Sequence, residues 1–435
     1  MTAIQRTSKN ILTVRLCIVC AVAASVGLSI ALISIAKFVL FISALSLLIK
    51  GMFNVSAGNR RLIPHLPRYT TRAVLIVLAI FGLSLLWTTA QTGESVGSLA
   101  KYGKLLTIIL LACMLKNRQE VFYALTAFIA AQAFLVLSSW MLYFGIPVPW
   151  ATSHMATTEF AVFSTYLDQA IMSATAAAVC WHLRFFAPGR YGSFFAISIA
   201  LLCLLNVLFV LIGRTGHIVA IALISLAVMW ELPRRFRWLV VILPIIFLLI
   251  LTATSQKVQS RIEMVKNEAA AYSVEEGVNL NNRTSSGVRL HFWHRALQSI
   301  AENPLVGSGV GSWSNEYNRL EKQRNPTGLT VGERGNPHQE YLLWGVQLGV
   351  PGILLLVALM ISIMKDTLSM ETHAARATQS ALLALAVACL FNSSLYDAQI
   401  GDFFCVVLGL LLALGLHPQK PTQPAGHFAR DQIPA

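Results

Sequence analysis

The chain is dominated by apolar runs, most of them long enough to cross about 30 Å of hydrocarbon, separated mainly by short polar connections. Inside lipid, backbone N–H and C=O groups find no water, so such runs are read as helices that satisfy their own hydrogen bonds. Composition agrees: 56% of the 435 residues are hydrophobic and 12% are charged, against about 25% charged in soluble domains. The expected fold class is therefore an all-α integral membrane protein. About twelve transmembrane helices can be drawn, near 13–33, 35–53, 73–91, 101–115, 121–144, 168–187, 191–213, 217–232, 236–253, 341–364, 376–395 and 402–416. The run from Leu12 to Phe53 is nearly unbroken, and only Lys37 marks a turn between the first two spans.

Orientation follows from the basic residues. One set of connections holds Arg6 and Lys9, then Lys50 through Arg72, Lys116 and Arg118, Arg184 and Arg190, Arg234 to Arg237, Lys365 and Arg376, and Lys420. The intervening stretches 92–100, 145–167 and 396–401 contain no Lys or Arg. By the positive-inside rule the basic set is cytoplasmic, and with it both termini. The net charge of +14 is thus topology information, and no nucleic-acid partner is expected. Arg6, Lys9 and Arg15 precede a long apolar run without a small-residue cleavage site, which reads as a first helix that is retained. The seven cysteines lie in or beside apolar runs; Cys17 and Cys20 have CxxC spacing but read as small lipid-compatible residues.

The expected organisation is nine helices over 1–253, a large loop over 254–340, three helices over 341–417 and a disordered cytoplasmic tail over 418–435. The loop falls on the non-cytoplasmic side, the periplasm of a bacterium. Within it, 255–272 and 288–302 have helical character, the second ended by Asn303-Pro304. Gly307-Ser308-Gly309-Val310-Gly311 follows no strand, so it reads as a flexible or tightly packed turn and not as a phosphate loop.

A few residues stand out as chemistry. Arg214 sits between glycines at the start of a short span, on the side that should lack positive charge. It reads either as an anion-binding group or as an arginine snorkelling to the interface. Lys101 and Lys104 break the charge pattern in the same way. Arg289 opens the second loop helix and, on composition alone, reads as a surface residue. His338 lies where the polar loop meets an apolar run, and an ordinary imidazole suits general-base work near neutral pH. Gly345, Gly349 and Gly352 would give the following helix a bare face for close packing. Asp397 and Asp402 bracket the last non-cytoplasmic turn, where either could orient an imidazole or balance an arginine, or serve only as turn and cap chemistry. The chain has no Walker A loop, DxD pair, HExxH, clustered Cys/His or GxSxG. No cofactor and no metal site are expected. A transferase on this side of the membrane then needs an activated donor, and arginine forks suit a lipid pyrophosphate.

The segment His338-Gln339, nine further residues and Gly349-Val350-Pro351-Gly352 resembles the H-[NSQ]-x9-GxxG pattern of the bacterial O-antigen ligases. Gly213-Arg214-Thr215-Gly216, Arg289 leading into Phe292-Trp293, Asn303 to Gly309, and Asn392 to Asp397 are similar to that family's other landmarks. The resemblance implies a GT-C-type membrane glycosyltransferase of the O-antigen ligase and polymerase superfamily. It implies transfer of O-antigen polysaccharide from undecaprenyl pyrophosphate to the lipid A-core oligosaccharide at the periplasmic face of the inner membrane. It assigns His338 as the catalytic base, Arg214 and Arg289 as pyrophosphate ligands, and Asp397, Lys101 and Lys104 as accessory candidates. An O-antigen polymerase, or in another class a lipid-linked oligosaccharide transporter, remains the alternative.

Overall fold

The computed structural model describes residues 3–56, 66–187, 189–238, 242, 263, 285–324 and 335–418. Among these residues the secondary structure is helical, with no strand. In chain order the helices are α1 (Ala3–Ser25), α2 (Ile30–Ser56), α3 (Arg68–Leu83), α4 (Thr92–Tyr102), α5 (Leu106–Met114) and α6 (Arg118–Tyr143). They continue with the short α7 (Ala156–Glu159), α8 (Tyr166–Leu183), α9 (Gly189–Leu205) and α10 (Arg214–Glu231). The loop and C-terminal part holds α11 (Ser285–Glu302), α12 (Trp313–Arg324), α13 (Glu340–Leu348), α14 (Val350–Thr367), α15 (Thr372–Phe391) and α16 (Ala398–Leu416). Nine helical stretches among the described residues are long and apolar enough to cross a membrane, which makes this a multi-pass membrane protein. The expected span at 236–253, the helix at 255–272 and the tail beyond Pro418 fall almost entirely outside the described residues.

α16 is the axis of the bundle. Its span is 89% buried, whereas the window Ile30–Leu47 of α2, slightly more apolar, is only 17% buried and turns Ile35 and Phe38 outward. Hydrophobicity cannot separate these two helices, because lipid is as apolar as a protein core. Small residues can. At Gly409 an added Cβ would lie 3.1 Å from Ile108 Cα of α5, and at Gly401 it would lie 2.7 Å from Lys104 Nζ. α16 therefore lets its neighbours approach to backbone distance, and packing replaces the missing hydrophobic drive.

Two boundaries differ from expectation. The first two spans part at Val26–Ser29, where Gly27 has φ 82°. Lys37 lies inside α2 and forms an ion pair with Asp402 at 2.6 Å. A basic residue in an apolar run marked a partner here and not a turn. The expected span 341–364 is two helices, α13 and α14, broken at Gly349 with φ 70° and ψ −162°. An added Cβ at Gly349 would lie 2.4 Å from Pro304 O, so the break is held by the loop. The glycines read as a packing stripe are thus divided: Gly345 does face a side chain, Ile300, but Gly349 ends a helix. The glycine turn after Pro304 is tightly packed. Ser308 and Gly309 donate N–H to Val346 O (2.9 Å) and Gln347 O (2.8 Å), and a Cβ at Gly309 would lie 2.3 Å from Thr88 Cα.

At the end of the bundle away from this loop, α1 and α6 are joined by a buried pair. Arg15 and Glu120 are 4% and 5% exposed and lie 2.6 Å apart. Glu120 also accepts from Lys116 N (2.9 Å) and Asn117 Nδ2 (3.1 Å). Removing one partner strands a buried charge, so Glu120→Ala should cost about 3–5 kcal/mol. Glu302→Ala, which removes the exposed one of the two carboxylates paired with Arg319, should cost about 1 kcal/mol or less. Thermal unfolding in detergent micelles checks the contrast, and equal costs would contradict the assignment of Arg15–Glu120 as a structural pair.

Candidate active site

The polar end of the bundle is assembled from four separate parts of the chain. The first is the start of α10. The preceding span ends in a single π turn, Asn206–Val210, of the kind common at functional sites. The backbone then runs extended to Gly213, and Arg214 opens α10. The close fit is set by Gly216: a Cβ there would lie 2.3 Å from Ala170 Cβ of α8. That contact brings Arg214 beside the first turn of α8, which carries Tyr166 and Asp168. The free N–H groups of the first turn add positive potential at the same place.

The second part is α11, which presents Arg289 and, one turn on, Phe292. Arg289 is half-buried. Its guanidinium is held below the ordinary arginine range, first by burial; Tyr166 acts in the opposite sense, and the positive charge of Arg214 pushes the same way as burial. The two guanidinium charges thus act unfavourably on one another. Among the described residues neither makes an ion pair or a hydrogen bond. Such a pair is complementary to an anion with several oxygens.

The third part is the segment before α13. His338 is half-buried and has φ 55°, a left-handed conformation that costs a residue with a Cβ about 1–2 kcal/mol. Its ring faces that of Phe292, with centroids 6.3 Å apart and planes 25° apart. Arg289 and Phe292 are three residues apart and share a helix face. α11 therefore presents a cation and the wall of the imidazole to the same side.

The fourth part is the α15–α16 turn. Asp397 Oδ1 accepts from Asn336 Nδ2 at 3.0 Å, and Asn392 Nδ2 donates to Asp168 Oδ1 at 3.4 Å while its side chain also reaches Asp397. Burial raises the Asp397 carboxyl to about 6, against the lowering effects of Lys104, Lys101, Asn392 and Asn336. Lys104 is buried and spends its donors on the backbone oxygens of Tyr396 (3.2 Å) and Asp397 (2.6 Å). Lys101 is exposed and lies 4.0 Å over the Tyr396 ring. Asp402 is elsewhere, held by Lys37.

These contacts close a ring: Arg289 and Phe292, His338, Asn336, Asp397, Asn392, Asp168, Tyr166 and back to the two arginines. The six candidates from the sequence lie on or directly behind it. Tyr166, Asp168 and Asn336 were not singled out there. The signal for Asp168 was present, since an acid three residues after Thr165 opens a span on the uncharged side, but this is also how a helix cap looks. Two cavities lie apart from the ring. One of about 600 Å³ is at the opposite end, between Leu66–Tyr69 and Lys365–Met370. The other, about 360 Å³, is a groove between α8, α9 and α10, walled by Ala174, Ala177, Ala200, Ala220, Leu223 and Ala227 among others.

No curated protein matches the chain. Residues 199–357, however, match the family model described as O-antigen ligase. That stretch contains Arg214, Arg289, His338 and the Gly349–Gly352 spacing, and stops short of Asp397. Over this region, a little more than a third of the chain, the sequence is similar to the O-antigen ligase family.

Proposed function

We propose that the protein is a glycosyltransferase that moves O-antigen polysaccharide from undecaprenyl pyrophosphate to a terminal sugar of the lipid A-core oligosaccharide. The observation that carries this reading is the Arg214–Arg289 pair, two adjacent cations without a carboxylate partner among the described residues, with His338 stacked on the same helix. In this reading the ring faces the periplasm, the basic connections and both termini lie in the cytoplasm, and about twelve helices cross the inner membrane in a GT-C-type arrangement.

The arginines hold the donor's pyrophosphate. His338 accepts the proton of the acceptor hydroxyl as its oxygen attacks the anomeric carbon. The bond from that carbon to the phosphate oxygen breaks, its electron pair leaves with undecaprenyl pyrophosphate, and configuration inverts. The arginines stabilise the charge that builds on the leaving oxygens, so the step needs neither metal nor ATP. Asp397 acts through Asn336 on the histidine segment; Lys104 holds the turn that carries Asp397, and Lys101 lies over the same turn. The groove between α8, α9 and α10 supports a lipid donor: it begins at Ala220, six residues and roughly 9 Å below Arg214 on the same helix.

His338→Ala should lower transfer by about 10²–10⁴-fold, the usual worth of a general base. It is measured with purified protein, lipid-linked donor and rough lipopolysaccharide; near-normal turnover removes the base assignment. Arg214→Lys should also fail, because an ammonium cannot reproduce the guanidinium fork, and full activity would reduce Arg214 to a point charge. Activity should persist in excess EDTA. On a lipopolysaccharide gel, loss of the gene should leave bare core; core bearing one repeat unit would favour the polymerase instead.

Asp397 gives a pH prediction. Between the usual carboxyl value and about 6, the folded protein keeps a proton that the unfolded chain releases. Asp397 therefore weakens the fold as pH rises through that window. Asp397→Asn should raise the unfolding temperature relative to wild type at pH 8 and lose that advantage below pH 4. A gain that is the same at both pH values would show that the carboxyl's burial is not its cause.

A further inference from the structure

We infer that Glu340 is a positioning residue, which together with the Asn336–Asp397 bond holds His338 in its left-handed conformation by tying both flanks of the histidine to one turn, Leu395–Asp397. The inference deepens the reading above, since its effect on transfer depends on His338 being the base.

A left-handed residue with a side chain persists only where its surroundings over-determine it. Two residues before His338, Asn336 accepts the His338 N–H at 2.9 Å and donates to Asp397 Oδ1 at 3.0 Å. Two residues after it, Glu340 Oε2 accepts the N–H groups of Leu395 (2.9 Å) and Tyr396 (3.1 Å). Its other oxygen accepts Trp344 Nε1–H at 2.8 Å. Both ends of the five-residue segment 336–340 are thus bonded to three consecutive residues of the α15–α16 turn. That turn is itself fixed from behind. Lys104 binds its carbonyl oxygens, the Tyr396 hydroxyl meets Ser98 Oγ at 2.9 Å, and Asp397 N donates to Ser393 O at 2.8 Å.

Glu340 is an unfavourable residue to bury. It is fully inaccessible, and burial raises its carboxyl to about 7 even though all three donors lower it. An apolar side chain would fill the same space without desolvating a carboxyl. An apolar side chain could not fix the register of the turn against the start of α13, because only an acceptor with two free oxygens meets two backbone N–H groups and an indole at once. The register is what sets where the imidazole stands relative to Arg289 and Phe292.

The test compares wild type with Glu340→Gln. Glutamine keeps one oxygen but turns an NH2 toward a donor, so one of the three bonds is lost and the tie loosens without a change of volume. Because misplacing a reacting group by about 1 Å can cost 10²-fold, kcat should fall on the order of 10²-fold while the KM for the lipid donor stays near wild type. In parallel, carbethoxylation of His338 by diethyl pyrocarbonate, followed by mass spectrometry, should change several-fold, with the exposed His154 unchanged as internal reference. A variant that only loses thermal stability, with kcat per folded molecule and His338 labelling both unchanged, overturns the inference. If the wild-type protein shows no transfer, the proposed function fails, and the labelling rate still decides whether Glu340 positions His338. Should Glu340→Gln not fold, Asn336→Ala removes the other tie and should give the same split between kcat and KM and the same labelling change; an unchanged labelling rate there overturns the inference.

Discussion

Where a chain leaves a helix close to hydrocarbon, its polar groups must be satisfied from within the protein. The turn between α15 and α16 meets that requirement with side chains from three other elements. Lys104 of the segment between α4 and α5 takes its carbonyl oxygens, Glu340 of α13 takes two of its N–H groups, and Asn336 takes the carboxyl of Asp397. Lys104 and Glu340 are buried, and a buried polar side chain costs free energy unless it is fully used. The candidate site is built on the far side of the same turn, so the need to satisfy a backbone has determined where the histidine segment can lie.

The helices were legible because a membrane imposes length and polarity on the sequence at once. Residues Arg118–Tyr143 or Thr372–Phe391 admit no other reading, and the structure places their ends within a few residues of the expected ones. The misplaced boundaries share a cause. Lys37 and Gly349 were read by their local meaning, a charge as a turn and a glycine as a packing contact. Their role is long-range: Lys37 is balanced by Asp402, far along the chain, and Gly349 yields to the carbonyl of Pro304. Hydropathy carries no information about such partners.

The site divides in the same way. Arg214 and His338 stand out as candidates because each is a charge-bearing group at a boundary where it has no local reason to be. Arg289 could not be separated from surface arginines by its own surroundings, and only the resemblance drew attention to it. Its proximity to Arg214 depends on Gly216 seating α10 on Ala170, a contact no sequence pattern announces. Asp168, Asn336 and Glu340 were overlooked because a capping acid, an Asx turn and a first-turn glutamate are what ordinary helix starts contain.

The glycine turn Gly307–Gly311 constrains how α11 moves relative to the bundle. Its backbone is pressed against the α13–α14 break at Gly307, against Thr88 at Gly309 and against Ser95 at Gly311, and it shares hydrogen bonds with Val346, Gln347 and Thr89. Contacts this close leave no room for sliding. In hydrogen-exchange terms, α11 and the turn after it belong to the same cooperative unit as α3, α4 and α13 and should open only when those helices do. The spacing between Arg289 and His338 is then a property of the bundle, as constant as the distance between two residues of its core.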